Sequence, residues 1–90
     1  MTDTELVAYL EEVCRDYGVQ VRREFLGEDA PGHFVKLRGR PTVFLNPIAD
    51  ARDLIDVLFQ ALPAVRPYER IALRADAQAE FDRWWNERHR

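Results

Sequence analysis

The sequence contains no serine and a single cysteine, and these two scarcities exclude several kinds of chemistry. Cys14 is the only cysteine among the 90 residues, so the chain can form no internal disulfide, which is typical of a reducing compartment. Without serine, the nucleophilic aliphatic hydroxyl and thiol groups are those of Cys14 and of the threonines Thr2, Thr4 and Thr42. Hydrolases that depend on an activated serine are therefore excluded.

Long apolar segments and an excess of positive charge are missing as well. The longest apolar runs extend for a few residues, far short of the roughly 20 that cross a bilayer. The first residues are acidic and lack the basic start of a secretory signal, so we expect a cytoplasmic protein that does not bind membranes. The net charge of −3 provides no overall attraction for nucleic acid.

Residues that bind metals or phosphates are few and widely spaced. His33, His89 and Cys14 lie far apart in the sequence and form no H-x-x-x-H or C-x-x-C motif. The four glycines do not form a phosphate-binding loop. We therefore predict no metal, no cofactor and no small-molecule ligand.

No group of residues is predicted to be catalytic. Cys14 belongs to the apolar stripe of the first predicted helix, where a buried thiol behaves as a small hydrophobic group. Carboxylate pairs such as Asp53 and Asp56 lie on polar helix faces, where solvation accounts for them. A hydrolase whose active site follows none of these motifs would need a concave pocket with inward-facing carboxylates. The sequence therefore predicts a protein that is not an enzyme.

A first helix is predicted from apolar residues that recur at spacings of three and four. It begins with a Thr-x-x-Glu capping pattern at Thr2 and Glu5. Gly18 follows its last apolar position, where a left-handed residue ends a helix. Glu11 is assigned to its polar face.

Two further helices are predicted in the second half of the chain. One begins at Asp50, ends at Pro63 and is apolar around much of its circumference, so we expect it to be the most buried helix. The last begins at Asp76, and its adjacent tryptophans diverge by about 100° around the axis. We expect Trp84 to face the core and Trp85 to be partly exposed, which makes Trp85 a candidate contact in a homodimer.

Three strands are predicted between the first two helices. Alternation from Val19 to Phe25 indicates a half-buried strand with both of these side chains on its buried side. The runs HFVKL and TVFLN then flank R-G-R-P, in which Gly39 supplies the positive φ of a two-residue hairpin turn. Because both runs are apolar on both faces, these strands should be covered on two sides or paired with another chain.

The order of the elements predicts the fold class. Short links between the strands favour an antiparallel meander, and ERIAL at residues 69–73 is a candidate for a short fourth strand. We therefore predict one α+β domain over residues 1–90, in the order helix, three strands, helix, short strand, helix. Three helices would pack on a three- to four-stranded, mainly antiparallel sheet.

A group of arginines lies at and near the predicted hairpin tip. Arg38 and Arg40 flank Gly39, and Arg22 and Arg23 belong to the preceding strand. Exposed arginines on a hairpin can bind phosphates or enter a groove, but the pattern places no aromatic stacking platform at a strand centre. Two explanations stay open, contact with nucleic acid or protection of a strand edge against unwanted pairing.

The run FVKLRGRPTVFLNPIADARDLIDVLFQAL resembles the core of the minimal zincins, small zinc metallopeptidases that cleave repressor-type proteins. In that family a strand ending in an Asn-Pro-like turn precedes the helix that carries H-E-x-x-H. The positions that correspond to its histidines and glutamate are occupied by Leu58, Leu62 and Phe59, which can neither hold zinc nor activate water. The resemblance therefore implies a zincin-like scaffold without peptidase activity.

The whole chain also resembles a group of short uncharacterised bacterial proteins that share an L-R-G-R hairpin tip, an apolar second helix and an acidic-to-aromatic last helix. Membership implies the same scaffold with its catalytic site lost and supplies no activity. We therefore expect a non-enzymatic protein that binds itself or another protein. The alternative is a nucleic-acid-binding accessory protein that uses Arg22, Arg23, Arg38 and Arg40.

Overall fold

The computed structural model describes residues 1–89, in which three α-helices and three strands follow the predicted α+β class. A single turn of 3₁₀ helix, Tyr68–Arg70, precedes the last helix. The remaining elements are α1 (Asp3–Asp16), β1 (Gln20–Arg23), β2 (Gly32–Leu37), β3 (Arg40–Leu45), α2 (Ala51–Val65) and α3 (Ala75–Arg88). Among the helices of this part of the chain, none has the length and apolarity needed to cross a membrane.

Helix α1 begins and ends as its sequence predicts. The hydroxyl of Thr2 accepts a hydrogen bond from the backbone N–H of Glu5 at 3.1 Å, and the carboxylate of Glu5 accepts one from the N–H of Thr2 at 2.9 Å. This reciprocal pair satisfies two of the N–H groups that a helix start leaves without partners. Gly18, with a φ of +85°, follows the C-cap residue Tyr17, so both predicted boundaries are confirmed.

The central strand of the sheet is β3, with β1 and β2 on its two sides. β2 and β3 form the predicted antiparallel hairpin, and the φ angles of Arg38 and Gly39 are +54° and +79°. Two positive φ angles are the signature of a type I′ turn, whose twist matches that of the strands. β1 runs parallel to β3. The predicted antiparallel meander is therefore wrong, and the sheet is mixed.

The connection between β1 and β2 explains this difference. Residues 24–31 pass the end of β3, where the buried Asn46 donates from its side-chain amide to the carbonyl oxygens of Gly27 and Ala30 at 2.7 and 2.8 Å. The loop is therefore tied across the end of the central strand, and β1 and β2 emerge at opposite edges. Composition marks 27–32 as a loop, but it does not show which strand the loop passes.

Helices α1 and α2 cover one face of the sheet, which we call the inner face. Val43 and Leu45 point into this layer and are completely buried, and Val21 and Phe34 pack against the same core. Helix α2 is the most buried helix, as predicted, with seven buried side chains: Leu54, Ile55, Val57, Leu58, Phe59, Ala61 and Leu62. The apolar circumference of α2 is thus explained by contacts with α1, the sheet and α3.

Helix α3 packs on α2 through aromatic side chains. The ring centroid of Phe81 lies 5.2 Å from that of Phe59, and Trp84 lies 5.8 Å from each of them. The indole Nε1 of Trp84 also donates a hydrogen bond to the carboxylate of Asp56 at 2.6 Å. Trp84 is half-buried and packs against the core, so its predicted inward orientation is confirmed.

One predicted strand extent is wrong, and the question of a fourth strand, which the sequence left open, is decided. The segment ERIAL forms the 3₁₀ turn and an extended stretch outside the three-stranded sheet. β1 ends at Arg23, and Phe25, predicted to be buried, is 64% exposed. In both cases a short apolar alternation lacks a neighbouring strand with which to pair.

Two predicted helix boundaries differ from the structure. Pro63 lies inside the last turn of α2, and the helix continues to Val65. Helix α3 begins at Ala75 after the N-cap residue Arg74, so Asp76 lies in its first turn instead of capping it. The carboxylate of Asp76 nevertheless accepts a bond from the backbone N–H of Ala77 at 2.9 Å, which is favourable at the positive end of the helix dipole.

Candidate functional site on the outer face of the sheet

The face of the sheet opposite α1 and α2, which we call the outer face, carries a strip of apolar side chains. Alternation along the strands places Val35, Leu37 and Phe44 there, and none of the three belongs to or packs against the hydrophobic core found in residues 1–89. Leu37 is 43% exposed, and Val35 and Phe44 are half-buried. The apolar runs of β2 and β3 are therefore covered by helices on one side only.

Phe44 forms the middle of a row across the outer face. In the strand register it stands beside Arg22 of β1 and His33 of β2. The guanidinium carbon of Arg22 lies 5.5 Å from the centroid of the Phe44 ring, and the His33 ring lies 5.2 Å from it. The sequence pattern indicated no aromatic stacking platform at a strand centre, and Phe44 is a single half-buried ring next to the last residue of β3. An aromatic ring with a guanidinium beside it can also pack against other planar or aromatic groups.

Polar and charged residues surround the apolar strip. Arg40 stands beside Leu37 at the tip end of the outer face, and Arg22 pairs with Glu24 at 2.6 Å at the opposite end. An apolar centre with aromatic and arginine residues and a polar rim is the usual composition of a protein-binding surface. This surface consists of Arg22, His33, Val35, Leu37, Arg40 and Phe44.

The edge of the sheet at β2 adjoins this surface. The backbone N–H of Asn46 donates to the carbonyl of Pro31 at 2.9 Å, and hydrogen-bonded pairs alternate along an antiparallel ladder. Residues 33, 35 and 37 are therefore bonded to β3, whereas the N–H and C=O groups of Gly32, Phe34 and Lys36 point away from the sheet. Within residues 1–89 no further strand pairs with this edge. Such an edge is a template for another strand.

The four arginines predicted as candidate contacts do not lie together. Arg22 and Arg40 lie on the outer face and Arg38 lies in the turn. Arg23 is on the inner face, where its Nε and a terminal nitrogen donate to the two carboxylate oxygens of Glu11 at 3.3 and 2.6 Å. The structure therefore brings two of the four arginines to one surface.

Glu11 is the partner of Arg23, and its burial is what the sequence pattern missed. It was assigned to the polar face of α1, but it is only 5% exposed. Its bidentate bond with Arg23 raises the pKa of the guanidinium and satisfies the buried carboxylate. Strand β1 runs beside α1 and brings Arg23 to Glu11, which no periodicity within α1 could reveal.

Trp85, the candidate homodimer contact, is engaged within the chain. Its ring stacks on Tyr68 at 4.6 Å, with 5° between the ring planes, and on His89 at 3.5 Å. Tyr68 donates its hydroxyl to Asp82 at 2.6 Å, which raises the pKa of the phenol. Trp85 is half-buried by these contacts, so much of its ring surface is already used within the chain.

A cleft of about 280 Å³ lies between α2 and α3, with Phe59 and Trp84 among its lining residues. The carboxylate of Asp56, another lining residue, accepts hydrogen bonds from Trp84 at 2.6 Å, from Arg88 at 2.7 Å and from Gln60 at 2.8 Å. These bonds tie Asp56 to α3 and to the next turn of α2. Leu58 and Leu62, which the predicted zincin resemblance aligns with the histidines of its motif, lie outside this cleft and are completely buried.

Cys14 lies in the core, as its position on the apolar stripe predicts. The side chain is completely buried, and this burial raises the pKa of the thiol to about 12, with the nearby Glu11 adding to the effect. Within residues 1–89 no three histidine, cysteine, aspartate or glutamate side chains are grouped as metal ligands. The thiol therefore contributes volume to the core in its protonated form.

Comparisons of the chain with protein-family models, with curated proteins and with solved structures gave no match. The zincin-like scaffold and the likeness to short bacterial proteins stay predictions from the sequence. Any functional assignment has to rest on the surfaces of the molecule itself.

Proposed function

We propose that this chain is a small cytoplasmic, non-enzymatic module that binds proteins, a second copy of itself included, through the outer face of its sheet. The observation that carries the proposal is the apolar strip of Val35, Leu37 and Phe44, which lies on the side of the sheet that α1 and α2 do not cover. Burying such a strip against another protein removes apolar area from water at a gain of roughly 25 cal/mol per Å².

Two further observations support this proposal. The carboxylate of Asp56, which lines the cleft between α2 and α3, accepts two hydrogen bonds from α3 and one from Gln60 of its own helix, which assigns it a structural role. The single cysteine is buried and its thiol has a raised pKa, which suits a protein that works under reducing conditions. The proposed activity is therefore binding alone.

The proposal is tested with a photo-reactive amino acid placed at Val35 in the living cell. Glu12, which is exposed on α1, provides a matched position away from the outer face. We expect light to join position 35 to one defined polypeptide, identified by mass spectrometry, and position 12 to yield none of it. Equal adducts from both positions would refute an outer-face interaction.

Affinity measurements with the identified polypeptide complete the test. We expect Phe44→Thr and Val35→Thr, which keep a strand-forming residue, each to weaken binding by about tenfold, because a buried apolar contact contributes on the order of 1 to 2 kcal/mol. Calorimetry with both purified proteins measures this change. Unchanged affinity in both variants would show that the outer face is not the contact.

A second candidate function is binding of single-stranded nucleic acid. It is favoured by the row in which Arg22 and His33 stand on either side of Phe44, at 5.5 and 5.2 Å from the ring. Unstacked bases stack on exposed aromatic rings of sheets, and arginines hold their phosphates. The net charge of −3 opposes this function, because it repels the phosphate backbone.

Titration with single-stranded and duplex oligonucleotides at two salt concentrations tests the second candidate. Binding that weakens steeply with salt and is lost in an Arg22→Ala, Arg40→Ala double variant would support it. An Arg70→Ala, Arg83→Ala double variant is the matched control, because it removes the same charge at exposed positions outside the sheet. Absence of binding at low salt would exclude the nucleic-acid function and leave the protein-binding proposal intact.

A further inference from the structure

The two ends of β2 carry opposite charge. At the turn end, Lys36, Arg38 and Arg40 form the basic hairpin tip. At the other end, four carboxylates line a cleft of about 180 Å³ beside Pro31 and Asn46: Glu28, Asp29, Asp50 and Asp53. Strand β2 spans Gly32–Leu37 between them, a separation of about 20 Å at 3.4 Å per residue. The basic tip and the acidic cleft therefore cannot pair within one chain.

The outward-pointing groups of β2 match a second copy of the same strand. Gly32, Phe34 and Lys36 direct their N–H and C=O groups away from the sheet. When two copies run antiparallel with Phe34 opposite Phe34, Gly32 of each copy stands opposite Lys36 of the other. Every edge-facing group of these three residues then has a backbone partner. In this arrangement the outer faces of the two copies lie on the same side of the joined sheet.

We propose that β2 pairs with β2 of a second copy, antiparallel and centred on Phe34, so that two three-stranded sheets become one six-stranded sheet. The inference goes beyond the proposed function, because the contact is the β2 edge and the outer faces of both copies stay uncovered. It corresponds to the second alternative for strands that are apolar on both faces, namely pairing with another chain.

Charge complementarity selects this orientation. In the proposed register Leu37 of one copy stands opposite Pro31 of the other. Arg38 then comes beside the Glu28–Ala30 segment, and two-fold symmetry makes this contact twice. A parallel pair would place the two basic tips together and the two acidic clefts together, and like charges side by side are unfavourable.

Lys36 is compatible with this pairing despite its position on the edge. A lysine on an edge strand usually discourages pairing because its charge loses water. Here it faces Gly32 of the second copy, which has no side chain, close to the acidic cleft. On the outer face His33 stands opposite Val35 of the second copy, so the two apolar strips become continuous across the axis.

The test exchanges the charges of the two ends in the whole chain. A tip variant carries Lys36→Glu and Arg38→Glu, and a loop variant carries Glu28→Lys and Asp29→Lys, all at exposed positions. Sedimentation equilibrium at low salt is measured for the unmodified chain, for each variant and for their equimolar mixture. A control carrying Glu12→Lys and Asp16→Lys on exposed sites of α1 changes as much charge away from the edge.

We expect the unmodified chain and the control to form dimers. Each charge variant alone should dimerise at least about tenfold more weakly, because like charges meet at both contacts. In the mixture the acidic tip of one variant meets the basic loop of the other, so heterodimers should form with an affinity within about threefold of the unmodified chain. This recovery also shows that both variants are folded.

Amide hydrogen exchange on the unmodified chain gives an independent readout. The amides of Phe34 and Lys36 should exchange at least about tenfold more slowly at concentrations where the dimer forms than in dilute solution. Those of His33 and Val35, already bonded to β3, are the matched control and should change little. No slowing at Phe34 and Lys36 in the dimer would overturn the proposed pairing.

Failure of this inference is distinguishable from failure of the proposed function. A chain that remains monomeric at about 1 mM overturns self-pairing, while cross-linking at position 35 still decides whether another protein binds. A dimer whose charge variants do not recover on mixing overturns the edge geometry. If Phe44→Thr then abolishes that dimer, the outer face is the contact and the proposed function stands.

Discussion

Arg22 and Arg23 are adjacent in β1, but their guanidinium groups lie on opposite faces of the sheet. Arg22 stands over Phe44 on the outer face, and Arg23 makes a bidentate bond with the buried Glu11 on the inner face. Two residues of identical chemistry therefore have different surroundings, one on the proposed binding surface and the other in a bond that holds β1 against α1.

Loss of the Arg23 side chain should destabilise the protein much more than loss of Arg22. Arg23→Ala leaves the carboxylate of Glu11, only 5% exposed, with the more distant Arg15 at 3.8 Å as its cationic partner. Loss of hydrogen bonds to a buried charged group costs roughly 1 to 3 kcal/mol. Urea unfolding measures the loss, and Arg22→Ala should change the free energy of unfolding by less than about 0.5 kcal/mol. Equal effects of the two variants would contradict the assigned roles.

The Cys14 thiol should make the protein less stable at high pH. Burial raises the pKa of the thiol from 9.0 to about 12, so the folded chain keeps this proton at pH values where the unfolded chain has lost it. The contribution is complete below pH 9 and falls by up to about 1.4 kcal/mol per pH unit as pH rises toward the folded value.

Comparison with Cys14→Ala isolates this effect from the titration of other groups. Between pH 8 and pH 10 the unmodified chain should lose about 1 kcal/mol more stability than the variant, as measured by urea unfolding. A thiol reagent at pH 8 should label Cys14 only after unfolding, because the reactive form is the thiolate. Rapid labelling of the folded chain would show that Cys14 is accessible.

Replacement of Arg38 by asparagine should stabilise the hairpin. Arg38 has a φ of +54°, in the region that long side chains rarely adopt, whereas Asn-Gly is the preferred pair in a type I′ turn. We expect Arg38→Asn to raise the free energy of unfolding by about 0.5 to 1 kcal/mol. Arg40→Asn, next to the turn but in extended backbone, is the control and should give no such gain.

Replacement of Gly32 by alanine should be strongly destabilising. A Cβ at this position would collide with the carbonyl oxygen of Phe44 in the neighbouring strand, and the φ of +155° is one that other residues rarely adopt. We expect a loss of about 2 to 4 kcal/mol, which is the range of steric and backbone strain. Gly27→Ala shares the positive φ but meets no atom within 4 Å, so thermal unfolding should show a smaller loss.

The sequence predicted what depends on local periodicity. The capping pair of Thr2 and Glu5, the end of α1 at Gly18, the buried α2 and the turn at Gly39 are all as predicted. Each of these follows from hydrogen bonds, dihedral angles or side-chain spacing within a few residues. The burial of Cys14 follows in the same way from its place on the apolar stripe of α1.

The sequence predicted only part of the candidate surface. Apolar residues on both faces of β2 and β3 indicated either a second cover or a partner, but they could not indicate which. The exposure of Phe44 follows from helices α1 and α2 both packing on the inner face. The position of Arg23 follows from α1 lying beside β1, and neither relationship has a signal in residue spacing.

By itself, the amino-acid sequence determined where the helices and the hairpin form and which residues of α1 and α2 fill the core, because those properties depend on neighbours along the chain. Tertiary structure alone decided the strand order β1-β3-β2, the parallel pairing of β1 with β3, the burial of Glu11 and the uncovered outer face. These depend on contacts between residues distant in sequence, such as the bonds from Asn46 that tie the loop across the end of β3.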